Sequence, residues 1–274
     1  MRSKVNFLSS FVLAIAMIGS LSAQGTDPGT ANLKHSWTFE DGTTNDYVGG
    51  ANGTLVGDAE ISDGSLFISE QDQYMEMPGG FIALDTYDEI TLEIWYIGTP
   101  GVNTGYTMIV YFGDEVDGFG ADGYFLTAAR GDDKSRAAIS CGVYTNSWTG
   151  ESGADGPEYD DDWLHHMAST LTGDSITLYI DGVRTGASAL SSTNGIWGIS
   201  ENYAYLGKGG YAADPEWIGE IPEFNIYNRA LTTDEILFQN LRGPVTGAVD
   251  VGKTAVLPVA VSYTHLTLPT ILRV

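Results

Sequence analysis

From about residue 33 onward, apolar and polar positions alternate in short runs broken by glycine and aspartate. Glu89-Ile90-Thr91-Leu92-Glu93-Ile94-Trp95-Tyr96 alternates strictly, and so does Ser175-Ile176-Thr177-Leu178-Tyr179-Ile180. A strand repeats its face every second residue, so each run predicts a strand with one buried face. By that alternation Trp95, like Trp37, reads as core. The second run ends in Asp181-Gly182 ahead of Val183-Arg184-Thr185. That predicts a hairpin, because a type I′ turn needs positive φ at both central residues. Asn52-Gly53 and Asp63-Gly64 repeat the dipeptide and predict the same turn.

One segment changes period. After a β-like run from Ile218 to Tyr227, Thr232 stands three residues before Glu235, the spacing of a capping box. Ile236, Leu237 and Leu241 then recur as one helical stripe, and Gly243-Pro244 ends it. Many strands, frequent turns and one short helix near 233–242 predict an all-β sandwich or jelly roll of two antiparallel sheets with one short C-terminal helix.

Composition narrows the partners. The 274 residues carry 36 acidic and 12 basic side chains, a formal charge of −24. Phosphate binding needs clustered Lys and Arg, so nucleic acid and anionic membranes are excluded as partners. The acidity suits hard cations such as Ca²⁺ and a soluble extracellular protein. Arg2 and Lys4 precede an apolar run, Phe11 to Ile18, with Leu21-Ser22-Ala23 as a cleavage site. Residues 1–23 therefore read as a signal peptide, which predicts a secreted or cell-surface protein. Cys141, the single cysteine, sits in an apolar run and reads as a small buried hydrophobe.

A family resemblance emerges from the order of these pieces. Gly219 to Ile236 resembles the closing strand and helix of LamG-like, concanavalin A-like lectin/glucanase domains. Ser36-Trp37-Thr38-Phe39-Glu40-Asp41-Gly42 resembles their opening strand, Ile90 to Trp95 a central one, and Leu178-Tyr179-Ile180-Asp181-Gly182 their hairpin. The resemblance covers roughly 33–242. It implies a concanavalin A-like β-sandwich at 33–243, behind a linker at 24–32. Residues 244–260 look like the start of a truncated second β domain or a linker. Residues 261–274 resemble the translation of a sequencing adapter and are read as an artefact, so a larger multidomain chain is expected.

The resemblance implies a non-catalytic module that binds a glycan or extracellular polysaccharide. It also implies a Ca²⁺ site joining Glu40, Asp41 and Asp46, near the first strand, to Glu223, near the last. Pro222 stands where the family has an aspartate, which removes one ligand and predicts a bulge. Trp163 is out of register with the family's Trp-x-His pattern, which places it outside its strand or at a bulge. His165 and His166 are adjacent on a presumed strand and face opposite ways, so packing or hydrogen bonding is expected of them. Sugar rings stack on flat aromatic faces. Trp148 and Trp197, in polar glycine-containing segments, and Tyr159, beside Asp160-Asp161-Asp162, are the ligand-binding candidates. Neither Glu89–Glu93 nor Glu220–Glu223 has the E-x-D-x-x-E series of concanavalin A-like glucanases, so no catalytic residue is assigned. Two alternatives stand beside the binding module: a glycoside hydrolase or polysaccharide lyase with non-local carboxylates, and a structural or adhesin domain.

Overall fold

The computed structural model describes residues 25–142 and 147–245, without the side chains of Ser147 and Trp148. The segment 1–23 expected to be a signal peptide, most of 244–260 and the tail at 261–274 lie outside these residues.

Among the described residues the strands are β1 (Leu33–Trp37), β2 (Thr54–Val56), β3 (Glu60–Ser62), β4 (Ser65–Ile68), β5 (Tyr74–Glu76), β6 (Ile90–Gly98), β7 (Thr107–Val116) and β8 (Phe119–Ala129). They continue as β9 (Lys134–Ser140), β10 (Ser152–Pro157), β11 (Leu164–Leu171), β12 (Ser175–Ile180), β13 (Val183–Ala189), β14 (Tyr203–Leu206) and β15 (Gly219–Tyr227). They form two antiparallel sheets. One is eight-stranded in the order β13-β12-β11-β6-β15-β4-β3, with β1 also on β15; the other is seven-stranded in the order β10-β9-β8-β7-β14-β5-β2. The fold is the expected sandwich.

The alternation of β6 sets the layers. Ile90, Leu92, Ile94 and Tyr96 point into the core between the sheets, against Met167, Leu178, Phe112 and Leu126. Trp37 lies in that core, whereas Trp95, also buried, shares the outward face with Glu93 and packs on His166 at 4.5 Å. Trp95 is therefore buried as expected, on the outer side of its sheet rather than between the two sheets.

Two of the three predicted turns form as expected. Asp181-Gly182 and Asp63-Gly64 have positive φ at both positions and join paired strands. Asn52-Gly53 is not a hairpin turn: Asn52 Oδ1 instead accepts from Asp46 N at 3.0 Å, and Gly53 N donates to Thr44 O. The acidic run 114–118 is the end of β7 and an Asp117-Gly118 turn into β8, both residues again with positive φ. Pro222 falls where the β15–β6 register shifts between Glu220 and Glu223, the expected bulge. Trp163 precedes β11 and is 47% exposed.

Helix α2 (Thr233–Arg242) has both halves of its capping box, with Glu235 N donating to Thr232 Oγ1 and Thr232 N to Glu235 Oε2. A second, one-turn helix, α1 (Gly79–Ile82), was not legible, because four residues are too short for a periodic signal.

Candidate functional site

The outer faces of the two sheets differ. On the eight-stranded sheet, α2 and a buried polar network cover much of the surface, beside a smaller groove of about 280 Å³ bordered by Glu223, Asn225, Tyr227, Gln239 and Arg242. Glu93 accepts from His166 Nε2 at 2.9 Å, from Asn225 Nδ2 at 3.0 Å and from Gln239 Nε2 at 3.3 Å. Burial works to raise the Glu93 pKa, but the bonds from His166 and Asn225, with Arg242 behind them, outweigh it and hold the carboxyl below its ordinary range. His165, on the opposite face of β11, is bonded to Asp161 and Asp181, both at 2.9 Å. Both histidines therefore do the expected work of hydrogen bonding and packing.

The seven-stranded sheet carries a second cluster on its outer face: Met108, Tyr111, Phe125 and Tyr205, with Tyr74, Tyr203 and Tyr211 packed against it. A groove of about 470 Å³ opens over this cluster. Tyr106 and Met108 come from the start of β7, Gly118 and Phe119 from the β7–β8 turn, and Glu151 from the entry to β10. Tyr211, Ala213 and Asp214 come from the loop between β14 and β15.

That loop is pinned at several points. Ala212 N donates to Gly118 O at 3.1 Å, Glu216 N to Gln71 Oε1 at 2.9 Å, and Lys208 Nζ to Glu216 Oε1 at 2.9 Å. Gly210 and Gly209 let its backbone approach: a Cβ on Gly210 would meet the Tyr111 ring at 2.4 Å, and one on Gly209 the Met108 sulfur at 2.6 Å. The loop is thereby a ridge, with a second, more polar groove of about 500 Å³ on its other side. Tyr106 has φ 51, a left-handed conformation unusual for a bulky residue, and such strain collects at functional sites.

The two acids lining the aromatic groove differ in surroundings. Glu151 faces Arg136, whose Nε lies 3.1 Å from Oε2; burial still raises the Glu151 pKa against the pull of the guanidinium. Arg136 also holds Asp155 at 2.7 Å, and Arg130 holds Asp155 at 2.9 Å and Asp132. Half-buried Asp214 has no such partner among the described residues, and burial alone pushes its pKa up to about 6.

The residues expected to bind Ca²⁺ do not converge. The first and last strands are neighbours as anticipated, with Ser36 opposite Asn225. Yet among the described residues no three His, Cys, Asp or Glu side chains are grouped so as to hold a metal ion. Asp46 is saturated: Oδ1 accepts from the backbone of Ser36, Val48 and Gly49, and Oδ2 from Ala51 N and His35 Nδ1. A carboxylate has about four lone-pair sites, which leaves none for a cation. Glu223 accepts from Asn225, Arg242 and Val245 N, and Asp41 from Thr43 and Asn45. Glu40 is exposed and alone. These residues do not fit a calcium site.

The aromatic candidates lie elsewhere too. Tyr159 stacks on His165 with ring centroids 4.6 Å apart and packs on the core. Trp197 is 71% exposed on a short 3-10 turn, Ile196–Gly198. The Trp148 side chain lies outside the described residues, although its turn, Ser147–Gly150, leads directly to Glu151. Asn194 ties these two turns together through Nδ2 to Gly150 O at 2.8 Å. Sequence reasoning missed Tyr106, Phe119, Tyr211, Glu151 and Asp214. The one available signal was an aromatic residue in the glycine-containing run Lys208-Gly209-Gly210-Tyr211-Ala212-Ala213-Asp214-Pro215.

With the fold and groove in view, comparison identifies the class. A laminin G family model, described as the concanavalin A-like lectin/glucanases superfamily, matches residues 69–237. That is more than half of the chain, and the chain belongs to this superfamily. No curated protein matches it. Among solved structures it is similar to domain 4 of AbnA, a GH43 extracellular arabinanase from Geobacillus stearothermophilus, in complex with arabinotriose. The identity is 16% and the TM-score 0.51, over 75% of this chain and 97% of that one. It is similar to the Ruminococcus gnavus IT-sialidase CBM40 bound to α2,3 sialyllactose, at 14% identity and TM-score 0.52, over 63% and 94%. The binding domain of Paraclostridial Mosquitocidal Protein 1 aligns at 15% identity and TM-score 0.57, over 75% of this chain and 51% of that one. At these identities the likeness is one of fold.

Proposed function

We propose that this protein is an exported, non-catalytic carbohydrate-binding module whose ligand lies in the aromatic groove on the outer face of the seven-stranded sheet. The observation that carries the reading is the groove itself, about 470 Å³ walled by Tyr106, Phe119 and Tyr211 with Glu151 and Asp214 alongside. Aromatic walls present apolar area to the faces of sugar rings, and carboxylates accept from the hydroxyls around them. The arabinotriose and sialyllactose complexes of proteins with this fold support a glycan ligand. The basic and apolar N-terminal pattern supports export. Exposed Trp197, on the turn tied to Gly150, offers a further stacking face at the edge of the same sheet.

The test is a glycan and polysaccharide panel probed with the purified chain, in parallel with Phe119→Ala. Retention of one glycan class, weakened in the variant, supports the reading; no retention by a folded sample refutes it.

A hydrolase is the second reading, favoured by one observation. Asp214 and Glu151 face one groove and both have raised pKa values, the setting of a general acid. Turnover of a bound oligosaccharide, lost in Asp214→Asn, would put this reading first.

A further inference from the structure

The groove's charges are committed unevenly, and this bears on what it selects. Glu151 is matched by Arg136, Asp155 by Arg130 and Arg136, Asp132 by Arg130, and Glu216 by Lys208. Lys208 also sits over the Tyr74 ring at 4.7 Å from its centroid. Each cation bordering the two grooves is therefore already paired with carboxylate. Asp72 and Glu115, on the second groove, are exposed, whereas Asp214 is a half-buried acid on the wall of the aromatic groove with no hydrogen-bond donor or cation set against it among the described residues. A carboxyl held partly out of water without a partner is unfavourable to folding, and a ligand that pairs with it would offset that cost. The loop that presents it is fixed at Gly118, Gln71 and Lys208, and Lys208, which borders the second groove together with Asp214, is held by Glu216.

We propose that the groove selects sugars bearing a free amino group, with Asp214 pairing the protonated amine while the aromatic walls hold the ring. This deepens the carbohydrate-binding reading and rests on it. An ammonium is the complement that a lone carboxylate in an apolar setting lacks, and it donates up to three hydrogen bonds. Acidic sugars meet the opposite conditions. They find, among the described residues, no uncommitted cation in the groove and an unpaired carboxylate on its wall, with a chain of formal charge −24 around it.

The test uses three probes on the full chain by calorimetry at pH 7.5: a β-linked glucosamine trimer, its fully N-acetylated counterpart, and sialyllactose. A neutral-oligosaccharide panel is run alongside. The amine-bearing trimer is expected to bind about tenfold tighter than the acetylated one, the effect of one charge-assisted hydrogen bond. Asp214→Asn should remove that difference and bring the two trimers to equal affinity. Because an acidic chain attracts any polycation, Glu60→Gln, which removes one exposed charge on β3, serves as the control and should keep the tenfold ratio.

Equal affinity for the two trimers, a preference for sialyllactose, or the same ratio in Asp214→Asn overturns the proposal. If only a neutral glycan from the panel binds, the amino-sugar inference fails and the carbohydrate-binding reading stands. If nothing binds to folded protein, both fail.

Discussion

The two sheets have outer faces of opposite character, although both are built by the same alternation. On β6, β11 and β15 the outward positions are Glu93, Trp95, His166, Glu223, Asn225 and Tyr227, all buried. Their ionised groups are satisfied by one another and by α2: Arg242 reaches Glu223 at 2.9 Å, and Gln239 bridges Tyr227 and Glu93. On β7, β8 and β14 the outward positions form a tyrosine- and methionine-containing surface with a groove, a strained Tyr106 and an unpaired Asp214. The first face ties its charged groups into internal bonds, although Trp95 Nε1, His166 Nδ1 and Asn225 Oδ1 have no partner among the described residues. The second leaves at least one polar group facing outward, as a surface that awaits a ligand would. Charge alone does not mark a site in so acidic a chain; a carboxylate without a partner among the described residues, set on the wall of a groove, does.

The largest test of that contrast is Glu93→Ala. It strands the buried polar partners His166, Asn225 and Gln239, and breaking such a network costs about 3–5 kcal/mol. Urea unfolding should show that loss, while glycan affinity of the folded fraction stays unchanged. Asp46→Asn comes next. The protein holds the Asp46 pKa down to about 2: burial opposes this, but His35 and the backbone amides of Ser36, Ala51 and Gly49 prevail. A depressed carboxyl stabilises the fold above its ordinary value of 3.8, and that contribution is lost as pH falls toward 2. The variant should lose about 2 kcal/mol at pH 7, and its deficit relative to wild type should shrink in acid denaturation below pH ~3.

On the groove side the signs reverse. Phe119→Ala should weaken glycan binding about tenfold, the effect of one lost stacking contact, with a stability change below about 1 kcal/mol. The smallest effect belongs to Asp214→Asn. The Asp214 pKa is raised from 3.8 to about 6, so the folded state keeps the proton longer than the unfolded chain. Stability contributed at this site therefore falls as pH rises from about 4 to about 6, and remains low above. The variant should be more stable than wild type at pH 7.5 by about 1 kcal/mol, after allowance for solvent screening at a half-exposed position, and no more stable at pH 4. A melting series across that range reads the difference. A destabilised Asp214→Asn at pH 7.5 would mean that the carboxylate has an internal partner and that the two faces are alike.

Much of the fold was legible because it rests on local rules. Asp181-Gly182 and Asp63-Gly64 made their turns, Thr232 and Glu235 made their capping box, and Pro222 found its bulge. The failures share a cause. Asn52-Gly53 has the dipeptide of a hairpin, but Asp46 draws the segment into its own bonding, and that contact is tertiary. The carboxylates 40, 41, 46 and 223 share a neighbourhood of strands, but two of them are used up by backbone amides, Arg242 and His35. Tyr159 looked like a platform beside acids, yet His165 takes its ring face.

By itself the sequence determined the sandwich, two of its hairpin turns and the position of the helix, since each follows from period or turn chemistry along the chain. Only the tertiary structure decided which outer face is open. The groove gathers Tyr106, Phe119, Glu151 and Asp214 from four places far apart in sequence. Whether a carboxylate is a structural bond or an open valence depends on the donors that packing brings to it, and no periodicity along the chain records those.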